Sequence, residues 1–369
     1  MKKVKSFGKV IVGMSGGVDS SVALILLKKQ GYEPIGVSLK YATWDDPCSG
    51  CKKRENVCCT KESFEIAKKV CQKYGVEHHI LDVSKDFKKE VIDYFVRELK
   101  SNRTPSPCVF CNPNLKFKKL IEFADEVGAE FVATGHYARV KPSLVCEGLT
   151  LAKELRTAKD ERKDQTYSLS FLKQDQLKRI IFPLGDLTKT EVHKIAKKEG
   201  FEFFEKRPQS QDFCFVSGES YLNFLKMEIG LKPGKIIDKD RNVLGEHHGL
   251  HFYTIGQRQG IGLAGGPYFV VGKNPKTNEL VVFRNEEDSA RQEVVLKPYN
   301  LISIAEKDLK KPIKVMAKTR SRQPLQRATI SVKGNSLLLI FDKPLKSITP
   351  GQIAVFYFGE TCLGAGVIL

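Results

Sequence analysis

A short run rich in glycine and serine near the N-terminus has the composition of a phosphate-binding loop. Gly16 and Gly17 allow the backbone to turn tightly and to approach a ligand, and Ser15 and Ser20 offer hydroxyl groups. A helix predicted to begin in this run adds free N–H groups and the positive end of its dipole, which suits a pyrophosphate. The run lacks the Gly-Lys-Ser/Thr of a Walker A loop, so γ-phosphate transfer is not indicated. The phosphate loop, as it is called below, consists of Gly13, Met14, Ser15, Gly16, Gly17, Val18, Asp19 and Ser20.

A Cys-x-x-Cys pair, Cys108 and Cys111, has the spacing used for metal binding or redox chemistry. It lies in a proline-rich segment, where Pro105 and Pro107 favour an extended backbone. A helix predicted after Asn112 would place Cys111 beside free N–H groups. Because such groups stabilise a thiolate, we expect the pKa of Cys111 to be lowered.

Cys214 lies far along the chain between two phenylalanines, Phe213 and Phe215. Taken alone, this pattern is typical of a small buried core residue. The same flanking rings can instead shield a reactive sulfur from water. The residues by themselves leave both interpretations open.

A further group of thiols consists of Cys48, Cys51, Cys58 and Cys59. Four cysteines can hold zinc in a tetrahedral site, but the adjacent pair Cys58 and Cys59 is awkward for two ligands of one ion. A structural zinc site and a loop with unused thiols therefore both stay open.

Strands and helices alternate in the first half of the chain, which predicts an α/β fold with a doubly wound parallel sheet. After about residue 205, short β-rich runs punctuated by Gly, Asn and Asp take over. We predict three domains, covering residues 1–205, 206–288 and 289–369. The predicted strands lie at 9–14, 34–39, 79–83, 130–134, 268–271, 279–283, 314–318, 336–341 and 354–358, and the helices at 19–30, 61–74, 86–99 and 114–127.

Composition narrows the class of protein. Lys and Arg number 61 against 43 Asp and Glu, a net charge of +18. Such a surplus favours a polyanionic partner such as nucleic acid, although a solvated lysine-rich surface would give the same count. No apolar run is long enough to cross a membrane and no signal peptide is evident, so we expect a cytoplasmic protein. Its 10 cysteines then indicate metal binding or chemistry rather than a disulfide scaffold.

Several motifs occur in an order that makes coincidence improbable. The phosphate loop by itself resembles the PP-loop of ATP pyrophosphatases, and the set as a whole resembles the tRNA-specific 2-thiouridylase family over essentially the whole chain. The motifs are Ser15–Ser20, Thr104–Asn112, Thr134–Tyr137, Lys163–Gln165, Asp212–Phe215, Gly245–His247 and Thr254–Arg258.

The resemblance implies a PP-loop domain, a small central domain and a C-terminal β-barrel. It implies ATP, with Mg²⁺, adenylating the wobble uridine of a tRNA, after which a cysteine persulfide supplies sulfur. The expected partners are tRNA and a protein that donates sulfur, and we expect a monomer that does not bind membranes.

The resemblance also implies roles for individual residues. Cys111 is the nucleophile and Cys214 carries the persulfide. Leu39 and Gly135 contact the adenosine, together with the phosphate loop. The target base is contacted by Ser106, Pro107 and Cys108, and the rest of the tRNA by His136, Lys163, Asp164, Gln165, Arg320, Ser321 and Gln352.

Cys108 departs from the family pattern, because many members have an aspartate there with a proton-transfer role. A thiol is a poorer general acid or base at neutral pH. The substitution also leaves three thiols, Cys108, Cys111 and Cys214, that could hold a [4Fe–4S] cluster with one iron open to carry sulfide. The persulfide relay and the cluster-bound sulfur are both open, and the family assignment favours the relay.

Two other functions fit parts of the pattern. A PP-loop ligase or amidotransferase would use the same phosphate loop on a small molecule, but the cysteine motifs and the positive charge argue against it. A non-catalytic, metal-containing RNA-binding protein would explain the charge and the thiols, but not an intact phosphate loop.

Overall fold

The computed structural model describes residues 7–44, 60–143, 153–205, 213–216 and 220–369. The chain divides into two compact units, each built from separate stretches of sequence. The first unit contains residues 1–92, 108–218 and 360–363, and the second contains 93–107, 219–359 and 364–369. No helix within the described ranges is long and apolar enough to cross a bilayer.

A five-stranded parallel sheet forms the centre of the first unit, as predicted. Its middle strand is buried on both faces, with Val10, Ile11 and Val12 fully inaccessible to solvent, which is typical of a parallel sheet covered by helices. From edge to edge the strands are His78–Asp82, Glu33–Lys40, Lys9–Gly13, Phe131–Thr134 and Ile180–Ile181.

Helices of the first unit cover this sheet. Lys61–Lys73 begins at Thr60, whose side-chain oxygen accepts a hydrogen bond from the Ser63 N–H at 3.0 Å. Val18–Gln30 is buried on nearly all sides and ends at Gly31, which takes the left-handed conformation. The remaining α-helices are Ser84–Phe87, Lys118–Glu126, Thr166–Leu169, Gln174–Arg179 and Lys189–Lys198, with a 3₁₀ turn at Glu202–Glu205.

Two of the predicted helices contain π-helical turns. The one predicted at 86–99 is π-helical over Lys88–Ile92. The one predicted at 114–127 begins inside a π-helical stretch, Asn112–Phe117. Pro113 has no N–H to donate to the preceding turn, so the regular hydrogen-bond ladder is interrupted there. The short helix Pro107–Cys111, called the thiol helix below, runs directly into this π-helical stretch.

The second unit contains a small mixed sheet and a closed barrel. The barrel closes because its first strand, Arg291–Leu301, pairs with its last, Thr361–Ile368, as well as with Ser336–Leu345. Its other strands are Ile313–Lys318, Gln326–Lys333 and Ile353–Phe358, and the small sheet contains Gly234–Ile237, Val243–His247, Phe269–Asn274 and Glu279–Phe283. The second unit also contains the helices Asp93–Lys100 and Tyr221–Glu228 and 3₁₀ turns at Leu250–Phe252, Glu286–Ser289 and Glu306–Leu309. The first unit also contains two short strands, Arg139–Pro142 and Lys153–Arg156.

The predicted fold class is confirmed: a doubly wound parallel sheet is followed by a small β-rich sheet and a barrel. Most predicted strands agree with the observed ones to within two residues, and the prediction for 336–341 is too short by four, since that strand extends to Leu345.

Candidate active site

The phosphate loop lies where the order of strands in the parallel sheet reverses. Lys9–Gly13 is flanked by Glu33–Lys40 on one side and Phe131–Thr134 on the other, so the two crossovers leave in opposite directions. Ligands of open α/β sheets bind in the crevice at the carboxyl ends of such strands. Gly13 pairs with Val37 and Thr134 at this edge, and the loop continues directly from it.

Internal hydrogen bonds fix the shape of the phosphate loop. The Ser20 hydroxyl accepts a hydrogen bond from the Ser15 N–H at 3.2 Å and donates to the Gly17 carbonyl at 3.1 Å. Gly16 has a φ of +70°, and a Cβ there would collide with the backbone of Ser63 at the start of the neighbouring helix. The helix Val18–Gln30 begins at Gly17, so its free N–H groups face the loop.

Gly135 and Leu39, predicted to contact the adenosine, lie at the same edge of the sheet. A Cβ at Gly135 would be 2.6 Å from the Asp19 carbonyl carbon and 2.7 Å from the Ser20 nitrogen, so only glycine allows this backbone to lie against the loop. Leu39 is 7% exposed in the strand next to the loop. The structure therefore brings these two residues and the loop together.

Lys189 is a residue at the phosphate loop that sequence reasoning missed. Its ammonium group lies 2.7 Å from both carboxylate oxygens of Asp19 and is 13% exposed. The Tyr137 hydroxyl donates a hydrogen bond to the same carboxylate at 2.7 Å. The pKa of Tyr137 is raised, mainly by burial and to a smaller extent by the negative charge of Asp19. The signal for Lys189 was its position at the start of a helix capped by Thr188, which the sequence pattern alone does not connect with residue 19.

Cys111 is buried, with 8% exposure, and burial raises its pKa to about 12. The expected lowering of this pKa is therefore wrong. The expectation assumed that a new helix begins after Asn112 and places free N–H groups beside Cys111. Instead, Cys111 ends the thiol helix and continues directly into the π-helical stretch Asn112–Phe117, with helical φ and ψ of −59° and −41°. Cys111 therefore does not precede a helix whose first N–H groups are free to stabilise a thiolate.

Lys116 is a second residue that sequence reasoning missed. Burial raises the pKa of Cys111, and the Lys116 charge opposes that rise. The same charge also acts to lower the pKa of Cys108, whose side chain is exposed. It also disfavours protonation of His136, whose pKa is lowered well below its ordinary value mainly by burial. The ring of His136 lies 5.9 Å from that of Phe117, and its Nδ1 forms a hydrogen bond of 2.7 Å with the Thr134 hydroxyl. His136 is thus neutral and close to the same cation as the two thiols.

Cys214 is half-buried beside Phe215, which is 1% exposed. The Phe215 ring lies 6.2 Å from that of Phe87, and its carbonyl accepts a hydrogen bond from the Trp44 N–H at 3.0 Å. The rings of Phe213 and Phe215 stack with centroids 5.8 Å apart, and their shielding of the Cys214 sulfur stays a prediction. Residues 209–212 of this motif, and Cys48, Cys51, Cys58 and Cys59, lie outside the described residues.

The described part of the chain brings no three Cys, His, Asp or Glu side chains together as a metal-binding set. Cys108, Cys111 and Cys214 do not form such a set there, and the cluster suggested for them stays a prediction. All three are present as thiols rather than disulfides.

The predicted Lys163–Gln165 motif borders the Tyr137 region. Gln165 receives a hydrogen bond from the Tyr137 N–H on its side-chain oxygen at 2.9 Å and returns one from its own N–H to the Tyr137 carbonyl, also at 2.9 Å. Asp164 accepts hydrogen bonds from the Ala158 N–H and the Thr166 hydroxyl. Lys163 is half-buried.

The other predicted tRNA contacts belong to the second unit. Ser106 is half-buried and Pro107 buried, and Ser321 is exposed. Arg320 and Gln352 both donate hydrogen bonds to backbone carbonyls within this unit.

A phosphate loop lies at the switch point of a parallel sheet, and glycines allow close backbone contacts around it. Together these features define a nucleotide-binding α/β domain of the PP-loop class. Family models match nearly the whole chain: a tRNA methyl transferase HUP domain at residues 8–218, a tRNA methyl transferase PRC-barrel domain at 222–284 and an aminomethyltransferase beta-barrel domain at 291–368.

Curated relatives carry a different name from those models. The chain is 43% identical to the tRNA-specific 2-thiouridylase of Halothermothrix orenii, 42% to one of Caldanaerobacter subterraneus and 41% to that of Clostridium perfringens. The matches cover 98% of this chain in each case, and 98%, 97% and 98% of the respective relatives. The chain belongs to the tRNA-specific 2-thiouridylase family.

Proposed function

We propose that this protein is a tRNA-uridine 2-sulfurtransferase, which adenylates the carbon-2 oxygen of the wobble uridine and replaces that oxygen with sulfur. The observation that carries the proposal is that one compact unit contains both the phosphate loop and the thiols Cys108, Cys111 and Cys214. The residues proposed to activate the uridine with ATP and those proposed to deliver sulfur therefore lie in the same unit. Family membership supplies the tRNA uridine as substrate.

The phosphate loop serves the first step. The uridine carbon-2 oxygen attacks the α-phosphate of ATP, and pyrophosphate leaves. The loop N–H groups and the helix that starts at Gly17 stabilise the phosphate charge, and Lys189 adds a cation at the loop. AMP then becomes a good leaving group on carbon 2, where a bare oxide would be a very poor one.

The thiols serve the second step. The outer sulfur of a Cys214 persulfide attacks carbon 2 and AMP leaves, so the sulfur joins Cys214 to the base. The Cys111 thiolate attacks the Cys214 sulfur, which releases 2-thiouridine and closes a Cys111–Cys214 disulfide. A two-electron reductant reopens the disulfide, and a donor protein reloads Cys214. Cys108, at the target base, is the candidate proton-transfer residue in place of the family's aspartate.

Magnesium is expected to accompany ATP. Asp19 is the one carboxylate of the phosphate loop, and both its oxygens pair with Lys189. A magnesium ion there would therefore take most of its oxygen ligands from phosphates and water. The cluster alternative would require Cys108, Cys111 and Cys214 to converge on one site, and the described residues contain no three-residue metal-binding set.

The remaining predictions extend this function. Residues 1–205, 206–288 and 289–369 are proposed as the catalytic, central and barrel domains of a cytoplasmic monomer. Lys163–Gln165, His136 and the exposed Ser321 are proposed to contact the tRNA, and Leu39 and Gly135 the adenosine.

The test is in vitro thiolation with the full chain, ATP, a tRNA and glutathione persulfide as sulfur source, read by mass spectrometry of the digested tRNA. We expect 2-thiouridine at the wobble position and pyrophosphate release that tRNA stimulates. Cys111→Ser and Cys214→Ser should each abolish thiolation while ATP still binds. Cys71→Ala, which removes a buried thiol packed against Gly36, is the control for loss of a cysteine.

Three results would contradict the proposal. Pyrophosphate release that responds to small acids but not to tRNA would indicate a ligase or amidotransferase. No ATP turnover in the presence of tRNA would indicate a non-catalytic RNA-binding protein. Bound iron and sulfide that are needed for activity would indicate the cluster mechanism rather than the relay.

A further inference from the structure

Four residues that end one residue before the thiol helix are held by a turn of the barrel. Residues 102–105, called the lead segment, belong to the second unit. The Thr104 N–H donates a hydrogen bond to the Pro350 carbonyl at 2.8 Å. The side-chain amide of Gln352 donates to the carbonyls of Thr104 at 3.1 Å and Pro105 at 3.4 Å. Two residues of one turn thus make three hydrogen bonds to consecutive residues of the lead segment.

Gly351, between those two residues, lets the backbones come this close. Its φ is +90°, and a Cβ there would lie 2.9 Å from both the Arg103 Cβ and the Thr104 nitrogen, and 3.0 Å from the Thr104 oxygen. A side chain at this position would push the lead segment away from the turn.

Two cations hold the other end of the lead segment. Arg103 donates through Nη2 to the Ile368 carbonyl at 3.1 Å, and the Lys273 ammonium donates to the Asn102 carbonyl at 3.4 Å. Burial lowers the pKa of Lys273 to about 8. The lead segment is therefore attached at Asn102, Arg103, Thr104 and Pro105.

Arg320 supports the turn that grips the lead segment. Its Nη2 donates to the Ser347 carbonyl at 3.0 Å and to the Thr349 hydroxyl at 2.9 Å, just before Pro350. The same group donates to the Ile255 carbonyl at 2.7 Å. A continuous chain of hydrogen bonds thus runs within the second unit from Arg320 through the turn to the lead segment.

We propose that Gln352 and Gly351 are positioning residues for sulfur transfer, because they fix the start of the helix that carries Cys108 and Cys111. Pro107 follows the lead segment after a single residue, so displacement of Thr104 and Pro105 is transmitted along the backbone to the thiols. The inference rests on the proposed function for its catalytic consequence. It gives Gln352 a role in the sulfur step, whereas the family resemblance makes it a tRNA contact.

Gln352→Glu is the sharpest test, since it keeps the size of the side chain but turns an acceptor oxygen toward two carbonyls. We expect single-turnover thiolation at saturating tRNA and ATP to fall roughly tenfold to a hundredfold, as for a displaced reacting group. Pyrophosphate release should be unchanged, and tRNA affinity should stay within about twofold. In the protein without substrates, iodoacetamide should alkylate Cys111 faster, because a loosened segment exposes it.

Gln292→Glu is the matched control. It makes the same chemical change at an exposed position of the second unit, where the side chain donates to the Asp342 carbonyl at 3.3 Å, and it should leave all four measurements unchanged. Gly351→Ala should act in the same direction as Gln352→Glu.

Weaker tRNA binding with a normal rate at saturating tRNA and unchanged alkylation of Cys111 would overturn the inference and leave Gln352 as a tRNA contact. A wild-type protein that makes no 2-thiouridine would instead refute the proposed function. The alkylation measurement needs no turnover, so it still decides whether Gln352 and Gly351 position the thiols.

Discussion

The phosphate loop and Cys111 belong to the same unit, but the loop already has the geometry of a phosphate-binding site, whereas Cys111 is not in its reactive thiolate form. The loop is fixed by its own hydrogen bonds, by glycines that admit close backbone contacts, and by a helix N-terminus that needs no rearrangement to meet a phosphate. Cys111 is buried and protonated, with a pKa raised to about 12. At neutral pH its thiolate is roughly a thousandfold rarer than that of an ordinary thiol.

This contrast suits an enzyme that must adenylate before it delivers sulfur. A permanently ionised thiol would be exposed to oxidation and to premature attack on the persulfide. In the proposed relay, a thiol that ionised only after tRNA and ATP had changed its surroundings would delay the second step until the first was complete.

Gly16→Ala should give the largest effect, on the nucleotide side. The φ of +70° costs alanine about 1–2 kcal/mol, and its methyl group would meet the Ser63 backbone. We expect tRNA-stimulated pyrophosphate release to fall roughly a hundredfold, because the loop cannot keep its shape without moving the neighbouring helix.

Gly75→Ala is the control for that experiment. Gly75 has a similar φ of +60°, but nothing lies within 4 Å of its Cβ position, so the strain is kept and the collision is removed. Equal losses of pyrophosphate release in both variants would show that backbone strain alone, and not the shape of the loop, is responsible.

Lys189→Ala should give an intermediate effect on the same side. Removing the ammonium leaves Asp19 as an uncompensated negative charge beside the phosphates, so we expect KM for ATP to rise and pyrophosphate release to fall, each about tenfold. Lys189→Arg should restore most of the activity because it restores the charge. Steady-state kinetics of pyrophosphate release measure both.

Lys159→Ala is the matched control for Lys189. Lys159 is 52% exposed and pairs with Glu191, which lies in the helix that Lys189 begins. Its loss removes only a surface ion pair, and such pairs contribute little to the free energy of unfolding. If Lys189→Ala behaved like Lys159→Ala, the cation would have no part in binding ATP.

The difference between the two sides also explains what could be predicted from the sequence. Gly16 and Gly135 follow strands, Leu39 lies near the end of one, and the carboxyl ends of parallel strands meet at one edge of the sheet. The local pattern therefore predicts the phosphate loop, and the family resemblance adds Leu39 and Gly135. The pKa of Cys111 depends on burial and on whether the helix continues past Pro113, which are tertiary properties. Lys189 meets Asp19 across 170 residues, and no local pattern records that pairing. The roles predicted for Cys108, Cys111 and Cys214 remain predictions until the variants are measured.

Lys116→Gln should give the smallest effect, on the sulfur side. Because the pKa of Cys111 is raised, its thiolate fraction, and hence its alkylation by iodoacetamide, should rise about tenfold per pH unit from pH 7 to 10 without a plateau. Lys116 opposes this raised pKa, so its removal should slow alkylation a few-fold at every pH in that range. Peptide mass spectrometry separates Cys111 from the other buried thiols.

Lys118→Gln is the control, at an exposed lysine paired with Glu122 at 3.9 Å, and it should leave the alkylation rate of Cys111 unchanged. A plateau below pH 9 would mean that Cys111 is already poised as a thiolate, and the contrast between a preformed nucleotide side and an unactivated sulfur side would be lost.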